Sequence, residues 1–186
     1  MGRLLTDYQH ALDFLFRRTT GAIRPRLDRT RALLHALGDP HQRFASVHVA
    51  GTNGKGSTVA TLDVLLRAQG RRVGRYTSPH LVDFRERIVV NGEVVDAAFV
   101  VHWIETWTPT IERIDATFFE ATTALAFDWF AHQQVDVAVV ETGLGGRLDS
   151  TNVLAPLAAG VTNVSVDHVE YLGGTIELIA AEKAGI

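Results

Sequence analysis

Residues 47–57, with the sequence VHVAGTNGKGS, decide the fold of this chain. Two β-branched residues, Val47 and Val49, lead into a glycine-rich turn, and a helical pattern follows over Thr58–Gln69. A strand, a glycine-rich turn and a helix in this order bind phosphate, because the backbone N–H groups of the turn and the positive end of the helix point at the anion. The stretch therefore predicts a nucleotide site.

The same stretch departs in two places from the common phosphate-loop pattern G-x-x-x-x-G-K-[ST]. Val49 stands at the position of the first glycine, and Gly56 separates Lys55 from Ser57. Lys55 is still expected to reach the outer phosphates of a nucleotide, and Ser57 to bring a hydroxyl near a metal. The alternative is a chance turn containing glycine and lysine, and the strand before it and the helix after it argue against that alternative.

Composition narrows the class of protein. The chain has 186 residues, 46% hydrophobic and 21% charged, as is typical of a soluble globular protein. A net charge of −3 implies no broad attraction to nucleic acid or to an anionic membrane. Cysteine is absent, which excludes disulfides, and no apolar run is long enough to span a membrane, so we expect a cytoplasmic protein. Sixteen of the 18 basic residues are arginine, and the two lysines are Lys55 and Lys183.

Two helices precede the phosphate-binding stretch. Apolar spacing predicts the first over Tyr8–Arg18 and the second over Leu27–Leu37, with a break at Gly21–Pro25 between them. Gly38-Asp39-Pro40 is a stop signal for the second helix. We expect both helices to pack on the flank of a nucleotide domain and to form no domain of their own.

Strands and helices alternate in the rest of the chain. The predicted strands are Arg72–Thr77, the two arms Arg87–Val90 and Glu93–Val95 of a hairpin around Asn91-Gly92, the buried run Val135–Val140, and Leu157–Val164. The predicted helices are Ala97–Trp107, capped by Asp96 and ended or followed by Pro109, then Phe119–Gln133 as an amphipathic helix, and Thr175–Ala184. This alternation predicts an α/β fold with a doubly wound, mostly parallel sheet.

The carboxyl ends of the strands carry the unusual residues. Ligands of doubly wound sheets bind beyond these ends, so the segments that follow the strands are expected to converge on one crevice. Those segments are Gly51–Ser57, Thr77–His80, Glu141–Asp149 and Asn163–His168.

Glu141 ends the buried apolar run, where a carboxylate beside a phosphate loop is placed to hold Mg²⁺. A capping or loop carboxylate is the alternative. Residues 142–147, TGLGGR, contain three glycines that permit close approach to a ligand, and Arg147 could clamp an anion; a flexible loop is the alternative here.

The neighbouring sequence of three further residues favours an ordinary structural role for each. His168 reads locally as a solvated loop histidine, since Mg²⁺ prefers oxygen ligands. Ser78 precedes Pro79 and reads as turn chemistry. Lys183 lies in the predicted last turn of a helix before Gly185, where a cation interacts favourably with the helix dipole.

Six motifs occur together and in order: GTNGKGS (51–57), TSPHL (77–81), FEATTALAF (119–127), ETGLGGRLDSTN (141–152), VDH (166–168) and AEKAGI (181–186). As a set, they make the chain resemble the N-terminal part of a folylpolyglutamate synthase/dihydrofolate synthase, in the Mur ligase superfamily. The resemblance runs through essentially the whole chain. It implies a fold like that of P-loop NTPases, as in the central domain of Mur ligases, with an N-terminal helical extension and a β-hairpin.

The resemblance also implies an activity. It implies an ATP-dependent amide ligase that phosphorylates a carboxylate of dihydropteroate or of a folate and then joins L-glutamate to the acyl phosphate. The implied ATP-binding residues are Thr52, Asn53, Gly54, Lys55, Gly56 and Ser57. The implied ligands of one Mg²⁺ are Ser78, Glu141 and His168.

Lys183 is, by the same resemblance, a carbamylated lysine that supports a second Mg²⁺ and acts in catalysis with Lys55 and His168. Carbamylation needs a neutral amine, and hence a lysine pKa well below about 10.4. The implied pterin-binding residues are Thr117, Phe118, Phe119, Glu120, Leu148 and Asp149. Phe119 is expected to stack on the pterin ring, with ordinary core packing at the helix start as the alternative.

Residues 1–40 are expected to form the helical extension and residues 41–186 part of the ATP-binding domain, with the family's C-terminal domain absent. A full-length protein is expected to be a monomer that binds small molecules, with no nucleic acid or membrane partner. One alternative is a truncated, non-catalytic remnant that retains nucleotide binding. Another is a Mur-type ligase for cell-wall precursors, although TSPHL and FEATT favour the folate branch.

Overall fold

The computed structural model of the chain describes residues 2–19 and 26–186, so the predicted break at Gly21–Pro25 lies outside the described residues. The helices are α1 (Gly2–Phe16), α2 (Asp28–Ala36), α3 (Lys55–Ala68), α4 (Ala97–Ile114), α5 (Phe118–His132), α6 (Val169–Leu172) and α7 (Ile176–Lys183). The strands are β1 (Ala45–Ala50), β2 (Val73–Tyr76), β3 (Ile88–Val90), β4 (Glu93–Val94), β5 (Val137–Glu141) and β6 (Ala158–Val161). Short 3-10 helices cover Arg17–Thr19, Pro40–Gln42 and Phe84–Arg87.

The six strands form one sheet in the order β4-β3-β2-β5-β1-β6. Strands β2, β5, β1 and β6 are parallel, whereas β3 pairs with β2 and β4 with β3 in antiparallel fashion. The predicted mostly parallel α/β sheet is confirmed. Because β1 lies between β5 and β6, the loop that follows β1 is flanked by the ends of both neighbours.

The two faces of the sheet bury different residues, because side chains alternate along a strand. On β5, Val137 and Val139 belong to a small cluster with Val59 of α3. Ala138 and Val140 point to the opposite face and join the main core with α1, α2, α4 and α5.

Helix α5 is the central element of that main core. Ten of its 15 residues are buried, because the sheet covers one side and α1, α2 and α4 cover others. The predicted helix is therefore present, but it is apolar nearly all round and lacks the exposed polar face of an amphipathic helix. Helices α1 and α2 thus share one core with the sheet.

The prediction that Pro109 ends or follows the helix that begins at Ala97 is wrong. The helix continues through Pro109 to Ile114, because its last turns bury Ile111 completely against the core. A proline inside a helix removes one backbone hydrogen bond. Just before it, the Thr108 hydroxyl donates to the carbonyl oxygen of Ile104 at 2.7 Å. Packing outweighs the local stop signal here.

The other elements follow the predictions with shifted ends. Asn91 and Gly92 both have positive φ angles (51° and 89°), as a type I′ hairpin turn requires. Helix α3 begins at Lys55, three residues earlier than predicted, after Gly54 in the left-handed conformation. Strand β6 is four residues long and exposed, and α6 was not predicted. Among the described residues, none of the helices combines the length and apolar content that a membrane span requires.

Candidate active site

The segments that follow the parallel strands lie together, as the sequence predicts. The backbone N–H of Thr52 donates to the carbonyl oxygen of Asn163 at 3.0 Å, which joins the ends of β1 and β6. The backbone N–H of Ser78 donates to Oε2 of Glu141 at 3.2 Å, which joins the ends of β2 and β5. The carboxyl end of the sheet is therefore one continuous site.

The phosphate loop (residues 51–57) ends in the first turn of α3. Gly54 adopts φ 80° at the start of the helix and supplies no side-chain cap. The first amides of an α-helix have no acceptor within the helix, so the N–H groups of Lys55, Gly56 and Ser57 are available to an anion. A 14-residue helix adds its positive end to the same point.

Both lysines of the chain meet at this loop. Lys55 Nζ donates to the carbonyl oxygens of Gly51 at 3.0 Å and Thr52 at 3.3 Å. Lys183 Nζ donates to the same Gly51 oxygen at 2.9 Å, with only 3% of the residue exposed. Burial and, secondly, the charge of Lys55 lower the pKa of Lys183. The Lys183 side chain therefore serves the loop and does not cap the end of its own helix.

Asn163 holds the phosphate loop from the β6 side. Its side-chain oxygen accepts from the backbone N–H of Asn53 at 3.1 Å, and its side-chain nitrogen donates to the Asn53 carbonyl at 3.0 Å. The Thr52 hydroxyl accepts from the Ser165 backbone N–H at 3.0 Å. The sequence placed Asn163 in a converging segment, but no local signal assigned it this contact.

Glu141 lies next to the start of α3. A Cβ added at Gly56 would stand 3.5 Å from Glu141 Oε2, so the carboxylate borders the proposed phosphate position. Burial raises the pKa of Glu141, which the hydrogen bond from the Ser78 backbone partly offsets. Carboxylate and hydroxyl oxygens fit Mg²⁺, and the structure brings these two predicted ligands together.

His168 is not joined to them in the described part of the chain. It adopts a positive φ of 49°, its side chain is 53% exposed, and its Nε2 lies 3.5 Å from Asp167 Oδ2. Within residues 6–19 and 26–186, no group of three or more histidine, aspartate or glutamate side chains is arranged to hold a metal ion. The predicted three-ligand set is therefore assembled only in part.

The carboxylate of Asp149 holds the second glycine loop (residues 142–147) in place by accepting hydrogen bonds. Its Oδ2 accepts from the backbone N–H groups of Gly143 at 2.9 Å and Leu144 at 2.8 Å. Its Oδ1 accepts from the backbone N–H of Thr151 at 3.0 Å and from the Thr151 hydroxyl, which in turn accepts from His48 Nε2 at 2.7 Å. Burial raises the pKa of Asp149.

The ends of the second glycine loop are also tied down. The guanidinium of Arg147 forms an ion pair with Glu182 at 2.6 Å, and the Arg147 backbone N–H donates to the Glu182 carbonyl at 2.7 Å. Arg147 thus binds an anion of the protein itself. Leu148 is half-buried.

The predicted pterin-binding residues of α5 divide into two groups. Thr117 and Glu120 form a reciprocal cap at the start of the helix, and Glu120 also pairs with Arg29 Nε at 3.2 Å. Phe118 is buried in the main core. Phe119 packs at 6.2 Å from the Tyr76 ring and against the backbone of Gly143, at the site end of the sheet. Phe119 is therefore the α5 aromatic residue that borders the second glycine loop.

Arg87 is a site neighbour that sequence reasoning did not single out. It is 7% exposed, its Nε donates to His80 Nδ1 at 2.8 Å, and its guanidinium lies 5.2 Å from the centre of the Phe118 ring. The segment FRER contains both Arg85 and Arg87, and nothing in the local sequence distinguishes the buried one.

Residues 49–186 match the family described as the Mur ligase middle domain. A dihydrofolate synthase/folylpolyglutamate synthase of Bacillus subtilis (strain 168) is 43% identical over 190 aligned positions, which cover 98% of this chain and 44% of the relative. The structure of Mycobacterium tuberculosis folylpolyglutamate synthase complexed with ADP matches with a TM-score of 0.90 at 42% identity, over 98% of this chain and 42% of that one. Escherichia coli FolC in complex with DHPP and ADP matches with a TM-score of 0.86 at 38% identity, over 96% of this chain and 43% of that one. The chain spans less than half the length of these relatives.

Proposed function

Because this chain belongs to the Mur ligase family, whose middle domain its residues 49–186 match, we propose that it is the ATP-binding portion of a ligase that adds L-glutamate to dihydropteroate or folates. The observation that carries the proposal is the meeting of Lys55 and Lys183 at the Gly51 carbonyl, beside the uncapped start of α3. The ammonium group of Lys55 and three available amides at one point suit the phosphates of a nucleotide, and Lys183 lies beside them. The ligands of the M. tuberculosis and E. coli relatives, ADP and DHPP, support the substrate class.

The proposed reaction has two steps. A carboxylate oxygen of the pterin substrate attacks the γ-phosphorus of ATP, and the bond to the bridging oxygen of ADP breaks. The amine of L-glutamate then attacks the carbonyl carbon of the acyl phosphate, loses a proton and displaces phosphate. Lys55 and the amides of residues 52–57 offset the charge that develops on the transferred phosphoryl group, and they hold it in line with the carboxylate. Lys55 must first exchange its loop carbonyl acceptors for phosphate oxygens.

Mg²⁺ fits this site through Glu141 and the hydroxyl of Ser78. When bound, the ion supplies positive charge to the phosphate oxygens. The buried Glu141 must then be ionised, because a carboxylate ligand binds without its proton. His168 is proposed as the third ligand, brought to the ion by movement of its segment toward Glu141.

Lys183 is proposed to carry a carbamate that supports a second Mg²⁺. Its lowered pKa favours the neutral amine that attacks CO₂, and the resulting anion would lie beside Lys55 in place of a second ammonium. ¹³C-labelled bicarbonate should then give a carbamate signal in the NMR spectrum that Lys183→Arg removes. Persistence of the signal in that variant would contradict this assignment.

The pterin ring is proposed to bind at the border of α5 and the second glycine loop. Phe119 offers an aromatic surface there, the half-buried Leu148 follows the same loop, and Phe118 supports the start of α5 from the main core. The polar groups of Thr117, Glu120 and Asp149 act by holding α5 and the loop in place, since their side chains are engaged in the hydrogen bonds described above.

The proposal includes the organisation of the protein. Residues 1–40 form a helical extension and residues 41–186 part of the ATP-binding domain, within a longer cytoplasmic ligase that acts as a monomer. The full reaction is assigned to such a longer protein, because the chain covers 44% of the B. subtilis relative. For this chain itself, we propose binding of Mg²⁺–ATP and of the pterin substrate.

Lys55→Ala tests the nucleotide site. Loss of a charge-assisted contact should weaken binding of Mg²⁺–ATP by about 10- to 100-fold, measured by titration calorimetry on the 186-residue chain. Arg31→Ala is the matched control, because Arg31 is an exposed cation on α2. Unchanged ATP affinity in Lys55→Ala, or no ATP binding by the unaltered chain, would sink the proposal.

Release of ADP distinguishes a catalytic ligase from a non-catalytic remnant. ADP release is measured with dihydropteroate and L-glutamate present. ADP release that depends on both substrates supports a catalytic chain. ATP binding without ADP release supports the alternative, a non-catalytic chain that retains the nucleotide site.

A further inference from the structure

Arg87 carries a charge that the protein does not neutralise. It ends the short helix Phe84–Arg87 just before β3, and its one side-chain hydrogen bond runs from Nε to His80 Nδ1 at 2.8 Å. Within the described residues, no aspartate or glutamate lies within ion-pairing distance of its guanidinium, and its two terminal nitrogens have no protein acceptor. Its neighbour Arg85, by contrast, pairs with Asp83 at 2.6 Å.

This guanidinium lies at the edge of a cluster of aromatic rings. It lies over the Phe118 ring, which stacks on Phe16 at 5.3 Å and meets Phe84 edge-on at 6.3 Å. The His80 ring lies 6.2 Å from both Phe16 and Phe84. Only 7% of Arg87 is exposed as a result.

Burial of an unpaired cation is unfavourable, and arginine cannot avoid it by releasing its proton. Burial does lower the pKa of Arg87, but from a value far above neutrality. The contact with the Phe118 ring compensates only part of the lost hydration. The site is therefore most favourable when an anion supplies the missing partner.

The shape and surroundings of Arg87 select the kind of anion. Two terminal N–H donors in a plane match the two oxygens of a carboxylate. The aromatic surroundings favour a carboxylate attached to an aromatic ring over a fully hydrated inorganic anion. The nearby carboxylate of Glu141 attracts Arg87 without forming an ion pair, and it already accepts from the Ser78 backbone.

We propose that Arg87 binds the carboxylate of an aryl carboxylate substrate and presents it to the nucleotide. The inference rests on the proposed function and deepens it, because this is the carboxylate that ATP would phosphorylate. Glu141 connects the two positions: it acts on Arg87 through its charge, and its Oε2 would lie 3.5 Å from a Cβ added at Gly56 of the phosphate loop. A carboxylate on Arg87 and the phosphates at the α3 amides would thus both be neighbours of Glu141.

The test pairs one variant with two ligands. Pteroate and its carboxamide, which lacks the charge, are titrated into the 186-residue chain and into Arg87→Gln. The unaltered chain should bind pteroate more tightly than the carboxamide. Arg87→Gln should weaken binding of pteroate by about 10- to 100-fold and change the affinity for the carboxamide by less than about threefold.

Arg85→Gln is the matched control, since it removes an arginine from the same short helix. Any loosening of this segment weakens binding of both ligands equally. An equal loss of both ligands in Arg87→Gln, or no loss of either, overturns the inference and leaves Arg87 as a structural anchor for His80.

A smaller pair of probes separates this inference from the proposed function. If the unaltered chain does not bind pteroate, the pterin assignment fails. 4-Aminobenzoate and 4-aminobenzamide, followed by NMR shifts of Phe118 and His80, then test Arg87 directly. Preference for the benzoate that disappears in Arg87→Gln supports the carboxylate site, and no preference overturns it.

Discussion

The two glycine loops of this protein look alike in sequence and differ in structure. The phosphate loop has GTNG at residues 51–54, and the second loop has GLGG at residues 143–146. In the phosphate loop, Gly54 opens onto α3 with nothing within 4 Å of an added Cβ, and the helix amides after it are available. In the second loop, Asp149 takes the amides of Gly143 and Leu144, and the backbone of α7 packs on Gly146.

This difference shows why glycine content alone does not identify a phosphate site. Glycine permits close approach, but the approaching group can be a ligand or the protein itself. The phosphate loop leaves donors available and brings two lysines to them. The second loop gives the amides of Gly143 and Leu144 to the carboxylate of Asp149 and the amide of Arg147 to the Glu182 carbonyl, so these donors are not available to a ligand.

Asp149→Ala should have the largest effect on stability. It removes the acceptor of four hydrogen bonds in the second loop, so we expect the free energy of unfolding to fall by about 4 kcal/mol. Urea denaturation measures this loss. Glu112→Ala, an exposed acidic residue on α4, is the control and should change stability by less than about 0.5 kcal/mol.

Hydrogen exchange in the same variant sharpens the comparison. The amides of Gly143 and Leu144 should lose protection, whereas the amide of Thr52, held by Asn163, should keep it. If both loops lose protection together, they form one cooperative unit and the contrast between them does not hold.

The sequence predicted the framework of the fold because period and turn signals are local. The apolar run Val135–Val140 and the Asn91-Gly92 turn each specify their structure within a few residues. The proline signal at Pro109 was misleading because α4 packs on α1 and α2, which are far away in the chain and stabilise the helix beyond the proline. At the site, the carboxyl ends of the predicted parallel strands correctly indicated which loop segments lie together.

Side-chain partners in the site were not predictable in the same way. Asp149 was assigned to a ligand, but its oxygens face the amides of its own loop, which depends on a turn geometry that the motif does not reveal. Arg147 is predicted to bind an anionic ligand, but its guanidinium pairs with Glu182, 35 residues later in the chain. The amine of Lys183 donates to the carbonyl oxygen of Gly51, 132 residues earlier in the chain, a contact that depends on where α7 packs.

His48 makes the second loop sensitive to pH. Burial lowers the pKa of His48 from 6.5 to about 4, so it stays neutral while its Nε2 donates to Thr151. The unfolded chain therefore takes up a proton below about pH 6.5 and the folded chain does not. The free energy of unfolding should fall by about 3 kcal/mol as the pH drops from 6.5 to 4 because of this residue.

Urea denaturation between pH 7.5 and pH 4 tests this contribution. His48→Gln, which keeps a hydrogen-bond donor and cannot titrate, should show a shallower loss than the unaltered chain by about that amount. His102→Gln, which removes an exposed histidine on α4, should leave the loss unchanged. Identical pH profiles for His48→Gln and the unaltered chain would show that His48 does not couple this loop to protonation.

Alanine at one glycine of each loop gives the smallest effects and the most direct comparison. At Gly146 an added Cβ would lie 2.6 Å from the Glu182 carbonyl oxygen and 2.8 Å from that of Lys183, which are backbone atoms of α7 and its end. Gly146→Ala should therefore destabilise the fold by about 2 kcal/mol. At Gly54 the Cβ meets open space, so Gly54→Ala should lose only about 1 kcal/mol, from its left-handed backbone.

ATP affinity should reverse that order. Gly54→Ala places a methyl group and a strained backbone where the phosphates approach the α3 amides, so ATP binding should weaken by at least about tenfold. Gly146→Ala, studied below its unfolding transition, should bind ATP within about threefold of the unaltered chain, because the amides of Gly143, Leu144 and Arg147 in the second loop already have protein acceptors. The reverse result, with ATP binding lost in Gly146→Ala and kept in Gly54→Ala, would mean that the two loops had been assigned to the wrong roles. Stability and affinity thus respond to different glycines because one loop is packed by the protein and the other is left open to the ligand.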